Sequence, residues 1–251
     1  MDARVSRSNP PLSLSAWLRY DATERLIPAD VESVLEIGAG LGSVGARLAR
    51  LFAYTGLEPD PVSYETAKER VGRAGLVVNC TAEEFDAPHR FDLICAFEVL
   101  EHFEDDRATL NGWLRHLRPE GYAMISVPFG RDRFGAWDQR AGHYRRYDRD
   151  DIIETLERAG LGSIETIAYG FPLGSATAVA RNAYARFQAG ESTMDDRTAV
   201  SGRSLQPPTG AAGATRLISA PFRLLQRPFA QTKLGPGIVA RGRLQTHGLK
   251  S

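Results

Sequence analysis

Val34-Leu-Glu-Ile-Gly-Ala-Gly-Leu-Gly42 reads as a buried strand running into a glycine-rich turn and then a helix. Glycines permit positive φ and let a backbone approach a ligand closely. A dinucleotide-binding fold would want Gly-x-Gly-x-x-Gly, with its third glycine where Ser43 stands. Here the third glycine comes one residue early, at Gly42, and Glu36 sits just before the turn, where a carboxylate would repel pyrophosphate. A cofactor with an ammonium group and no phosphate fits better. Glu58 ends the next apolar run, 22 residues after Glu36, and is placed to accept both hydroxyls of a ribose.

Around this turn, short apolar runs alternate with longer helical patterns. The strand-like runs are Val34–Ile37, Phe52–Leu57, Leu76–Asn79, Phe91–Phe97, Tyr122–Val127 and Ile164–Tyr169. Between them Leu41–Leu51, Pro61–Arg73 and Phe103–Leu117 carry apolar residues at spacings of three and four, and Ser13–Leu26 makes a leading helix. Asp148 reads as the N-cap of a further helix, stopped by Gly160. Such alternation predicts a parallel sheet covered on both faces. Residues 188–215 hold Gly, Ser, Pro and Ala with almost no large apolar side chain and are expected to form a mobile loop. It separates two apolar stripes, Leu173–Phe187 and Leu217–Phe229, and Gly237–Leu244 closes the chain as a last strand. The expected organisation is a helical lead over 1–30, a cofactor-binding core over 31–170, a helical lid or insertion over 171–236, and a strand and tail over 237–251.

The chain has 251 residues and 43% hydrophobic content, enough for one sizeable core, which excludes wholesale disorder. Two cysteines exclude a disulfide-stapled mini-domain, and Cys80 and Cys95 read as buried free thiols. With no run of 18 apolar residues and no apolar stretch in Met1–Tyr20, neither a spanning helix nor a secretory signal is expected, and a cytoplasmic location follows. The 31 basic and 31 acidic residues balance, yet residues 197–251 hold nine basic and no acidic side chains. That tail should meet either the acidic body or an anionic partner.

Four signatures in order, VLEIGAGLG (34–42), LEPD (57–60), FDLICAFEVLEHFED (91–105) and LRPEGYAMISVP (117–128), resemble those of class I S-adenosylmethionine-dependent methyltransferases. The resemblance covers roughly Val31 to Gly170. It implies a Rossmann-like α/β fold with a seven-stranded, mostly parallel sheet, helices on both faces, and an antiparallel last strand preceded by a helical insertion. It also implies S-adenosylmethionine as cofactor, with Glu36, Gly38, Gly40 and Gly42 at the methionine portion, Glu58 on the ribose, and Thr81, Ala82 and Phe97 near the adenine and the pocket. Many members have Asp where Thr81 stands, so the adenine contact is expected from Thr81, Glu83 or a backbone carbonyl instead.

Phe97-Glu-Val-Leu-Glu-His102 starts at the carboxyl end of a strand, where open α/β sheets bind ligands. Helical turning would bring Glu98, Glu101 and His102 to one side. Together with His143 they are similar to the metal-binding positions of ubiquinone-biosynthesis O-methyltransferases and small-RNA 2′-O-methyltransferases. The competing reading is metal-free, with these residues capping and shaping the pocket and His102 or His143 as general base. An ion held here would be magnesium or manganese. His89 and His116 read as ordinary surface or helix residues, and Arg145 and Arg146 as ion-pair partners or an anion site. Trp17 and Tyr20 either close over the cofactor or pack in the core.

The expected activity is methylation of an oxygen on a small molecule such as a sugar, polyketide or quinone-like phenol. N- or C-methylation and an RNA-modifying or RNA-binding role for the basic tail are the alternatives. No RNA module or aromatic-rich basic platform is visible, so nucleic acid is not an expected partner. The two striped helices are expected to form a lid over the acceptor pocket, and a membrane-surface anchor over 214–231 is the competing reading.

Overall fold

The computed structural model describes residues 9–87, 89–187 and 212–245, with Ala212 and Gly213 described by backbone only. Seven strands form one sheet in the order β3-β2-β1-β4-β5-β7-β6. They are β1 Ser33–Ile37, β2 Ala53–Leu57, β3 Leu76–Val78, β4 Phe91–Phe97, β5 Leu117–Pro128, β6 Leu161–Tyr169 and β7 Gly237–Leu244. β7 runs antiparallel to β5 and β6, while the other pairings are parallel. The strand order reverses between β1 and β4, which opens a crevice at their carboxyl ends.

The central strands read as nearly continuous apolar runs because both of their faces are buried. Val34, Leu93, Cys95 and Phe97 pack on one face with α1 (Leu14–Glu24), α2 (Gly45–Leu48) and α3 (Pro61–Val71). Leu35, Ile37, Ile94 and Ala96 face the other way, under α4 (Asp106–Leu114) and α6 (Arg149–Arg158). α5 (Ala136–Ala141) lies between β5 and α6 in the chain. Strand alternation therefore sends Glu36 to the α1 and α2 side, where Tyr54 of β2 meets it.

Several boundaries differ from expectation. The helix expected over Leu41–Leu51 is only the four residues of α2, because Gly42 has φ +72° and its N–H closes a turn on the Ala39 carbonyl. The helix expected over Phe103–Leu117 begins at Asp106: Phe103 is extended, and the Asp105 carboxylate caps the Ala108 N–H at 2.9 Å. Residues expected to turn helically over Glu98–His102 instead make a positive-φ step at Glu98 and a short 3₁₀ turn at Leu100–His102. β5 starts five residues earlier than expected and β6 three residues earlier. Cys95 is buried as expected, whereas Cys80 is half-exposed at the end of β3.

The two apolar stripes are α7 (Leu173–Phe187) and α8 (Ala212–Leu225), the latter followed by a 3₁₀ turn at Arg227–Phe229. Residues 188–211 of the expected mobile loop lie outside the described residues. α8 docks on α1: Gln226 donates to the Leu18 carbonyl and to Asp21, and Arg227 pairs with Asp21 at 3.0 Å. Its opposite face exposes Leu217, Ile218, Leu224 and Leu225. Much of the basic tail thus meets the acidic body. Arg241 and Arg243 pair with Glu165 and Glu120, and Arg223 stacks on Trp17. Arg197, Arg203 and Lys250 lie outside the described residues. No described helix is long and apolar enough to cross a membrane.

Candidate active site

A cavity of about 850 Å³ opens at the β1/β4 crevice. Its floor is the glycine turn. Gly38 and Gly40 adopt φ +71° and +54°, and the Gly40 N–H donates to Glu58 Oε2 at 2.7 Å. The other Glu58 oxygen accepts from the Asp60 N–H at 2.9 Å. Two backbone donors thus hold the carboxylate still on the cavity wall. Glu36 is 2% exposed and accepts from the Tyr54 hydroxyl at 2.6 Å. Burial pushes its carboxyl up to about 7, against the lowering pull of Tyr54 and Arg19.

Of the residues expected to hold the cofactor, Glu36, Gly38, Gly40, Glu58 and Phe97 line this cavity. Gly42 does not: its missing side chain makes room for α3, since a Cβ would stand 2.7 Å from Ala67 Cα. Thr81 and Ala82 do not line it either. Thr81 is engaged with Glu84, and the buried Ala82 offers its carbonyl to Arg115 and His116. His116 is therefore a buried structural residue rather than a surface one. Trp17 and Tyr20 pack in the core.

The glycines separate in one experiment. Gly40→Ala puts a Cβ into open cavity and should cost about 1–2 kcal/mol of stability from handedness alone while obstructing the cofactor. Gly42→Ala adds a backbone clash and should cost about 2–4 kcal/mol. Thermal denaturation beside S-adenosylhomocysteine titration reads both. Equal melting losses would remove the distinction.

The four acid and histidine positions do not form one set. Glu101, His102 and His143 bring ligand atoms within 4.8 Å of one another. Glu98 stands apart, its Oε1 accepting from Ser126 Oγ at 3.0 Å and from the Tyr169 hydroxyl at 2.9 Å. The left-handed step at Glu98 turns its side chain away from the pair that follows. Glu101 is fully buried, and neither of its oxygens has a hydrogen-bond partner. Burial, then the nearby Glu98 charge, push its carboxyl well above the usual range. Burial and the neighbouring His143 lower His102 to about 4, so its ring stays neutral at neutral pH.

His143 is the best-positioned group. Its Nδ1 lies 2.9 Å from Asp138 Oδ1, which fixes that nitrogen as the donor and leaves Nε2 with a free lone pair, 3.9 Å from Glu101 Oε1. Asp138 is wholly buried at the start of α5 and also accepts from Arg146 Nε at 2.8 Å and the Gly135 N–H at 2.9 Å. Burial pushes the Asp138 carboxyl up, but these donors and the Arg146 charge outweigh it and hold the carboxyl below its usual value. Asp138 carried no motif and was not foreseen, because nothing in a five-residue spacing to His143 marks it. Arg19, Trp137 and Arg181, also on the cavity wall, were missed for the same reason. α7 supplies Gly174, Thr177, Ala178 and Arg181 to the wall and α8 supplies none, so the expected two-helix lid reduces to one wall helix braced from elsewhere.

The methyltransferase domain family matches residues 14–166, more than half of the chain. The chain belongs to the class I S-adenosylmethionine-dependent methyltransferases. Among this methyltransferase's relatives is the ubiquinone biosynthesis O-methyltransferase of Methylobacterium nodulans, 28% identical over 63% of this chain and 71% of that one. The enzyme of the same name from Rickettsia conorii is 29% identical over 45% of each chain. Among solved structures, the N-methyltransferase NodS of Bradyrhizobium japonicum, in complex with S-adenosylhomocysteine, matches with a TM-score of 0.53. It is 17% identical over 92% of this chain and 85% of that one, which shows the shared fold.

Proposed function

We propose that this methyltransferase transfers a methyl group from S-adenosylmethionine to an oxygen of a small molecule such as a sugar, polyketide or quinone-like phenol. The observation that carries the oxygen assignment is the buried Asp138–His143 pair, whose histidine lines the same cavity as Glu58 and the glycine turn. When bound, the cofactor supplies an electrophilic methyl carbon on a sulfonium. The residues do the rest. Glu36 takes the ammonium, Glu58 takes the ribose hydroxyls, and the open side of Gly40 leaves room for the methionine chain. His143 Nε2 accepts the acceptor hydroxyl's proton while Asp138 stabilises the resulting imidazolium. His102, lowered to about 4, is too weak a base for that role.

Glu101, His102 and His143 are also the residues that would hold a divalent ion, magnesium or manganese, and the partnerless Glu101 oxygens fit one. Such an ion would supply Lewis acidity towards the acceptor hydroxyl. The test is mass spectrometry of small-molecule extracts incubated with isotopically labelled cofactor, with and without chelator. Label on a small-molecule oxygen supports the reading. Label on RNA or on nitrogen instead overturns it. Full turnover in chelator leaves His143 as base, while loss restored by added manganese or magnesium assigns the trio as ligands.

A further inference from the structure

The cavity wall carries three guanidinium groups, from Arg19, Arg146 and Arg181. Two are matched by carboxylates: Arg19 lies 3.9 Å from Glu98, and Arg146 lies 2.8 Å from Asp138. Arg181 has no carboxylate within ion-pair distance among the described residues, and its Nε is buried without a hydrogen-bond partner. Its guanidinium stacks 4.5 Å above the Trp137 ring, and Asn182 beside it accepts the Trp137 backbone N–H at 3.1 Å, which ties α7 to α5. The cation is therefore oriented rather than free to swing into water. Burial lowers its proton affinity from the ordinary value, yet arginine stays charged at any physiological pH. A partly desolvated charge without a counter-ion is costly, and the missing partner has to come from what the cavity binds.

We propose that Arg181 receives a carboxylate of the methyl acceptor, so that the substrate is a hydroxy acid rather than a neutral alcohol. This rests on the methyl-transfer reading above and names the substrate class for the same cavity. The planar fork of arginine matches a carboxylate bidentately. A monoanion suits the site better than a dianion: Glu36, Glu58, Asp60 and Glu98 line the same cavity, so a dianionic phosphate would meet more like-charge repulsion there than a single carboxylate. Glu98 first, then Asp138, are the carboxylates whose charges act on Arg181, and Trp137 beneath the guanidinium precedes Asp138, the partner of His143, on α5.

The test uses the full chain saturated with S-adenosylhomocysteine and two fragments of equal shape, 4-fluorobenzoate and 4-fluorobenzamide, followed by fluorine NMR line broadening. The acid should bind at least about tenfold more tightly than the amide, and Arg181→Gln should erase that difference while S-adenosylhomocysteine affinity stays unchanged. Equal broadening by the two fragments in the unaltered protein, binding of neither, or a preference that survives Arg181→Gln overturns the proposal. So does a loss of S-adenosylhomocysteine affinity in Arg181→Gln, which would assign the guanidinium to the cofactor's own carboxylate. Failure of the unaltered protein to bind S-adenosylhomocysteine would instead remove the methyltransferase reading beneath it, so the two failures are distinguishable.

Discussion

His143→Ala should lower kcat by about 10²–10⁴ while leaving S-adenosylhomocysteine affinity within a few-fold, because the imidazole is assigned to proton transfer and not to the cofactor. Asp138→Asn should follow in the same direction by a different route. The amide can no longer fix Nδ1 as the donor, and Arg146 loses its buried partner, so this variant should also lose about 3–5 kcal/mol of stability. The sign of its pH dependence follows from the depressed Asp138 carboxyl. The stabilisation is full above the unfolded carboxyl's ordinary value and is lost as pH falls through the lower folded one, so Asp138→Asn should flatten the acid limb of a stability profile. Single-turnover rates beside equilibrium cofactor binding separate chemistry from binding. An unaltered chemical rate in His143→Ala would remove the base.

Glu58→Ala should weaken S-adenosylmethionine binding by about 30- to 150-fold, the loss of a pair of hydrogen bonds to a charged acceptor worth roughly 2–3 kcal/mol. It also frees the Gly40 and Asp60 N–H groups that the carboxylate now holds, so the turn itself should loosen. Glu36 adds a pH signature. Its folded value near 7 means that the free protein carries this carboxyl protonated in mildly acidic solution, whereas the cofactor's ammonium needs it ionised. Affinity should fall by about tenfold for each pH unit below 7 and level off above it, with proton release on binding below 7. In the free protein the sign is opposite: ionising the buried carboxyl disfavours the folded state, so stability declines from the unfolded carboxyl value up to about pH 7. Calorimetry in buffers of different ionisation enthalpy measures the proton release. An affinity constant between pH 5.5 and 7.5 would take Glu36 away from the ammonium.

The glycine turn, the flanking acids and the strand–helix alternation were legible in the chain because each is a local statement. Apolar runs bounded by polar residues have one stable arrangement as a doubly covered sheet, and Glu36 and Glu58 stand at strand ends whatever surrounds them. The antiparallel last strand followed from the family signatures rather than from its own residues. Tertiary structure alone decided how the acid and histidine cluster is assembled. Glu98, Glu101 and His102 are close in sequence, but one left-handed residue turns Glu98 towards Ser126 and Tyr169 and away from the others. Asp138 and Arg181 have no motif, and their meaning comes from meeting His143, Trp137 and the cavity across long stretches of chain. Gly42 looked like a ligand-facing glycine and proved to be a packing one, because a sequence records that a side chain is missing but not which neighbour needs the space. Short-range propensity therefore determined where the glycine turn and its flanking acids lie, and long-range burial decided which side chains meet them across the cavity.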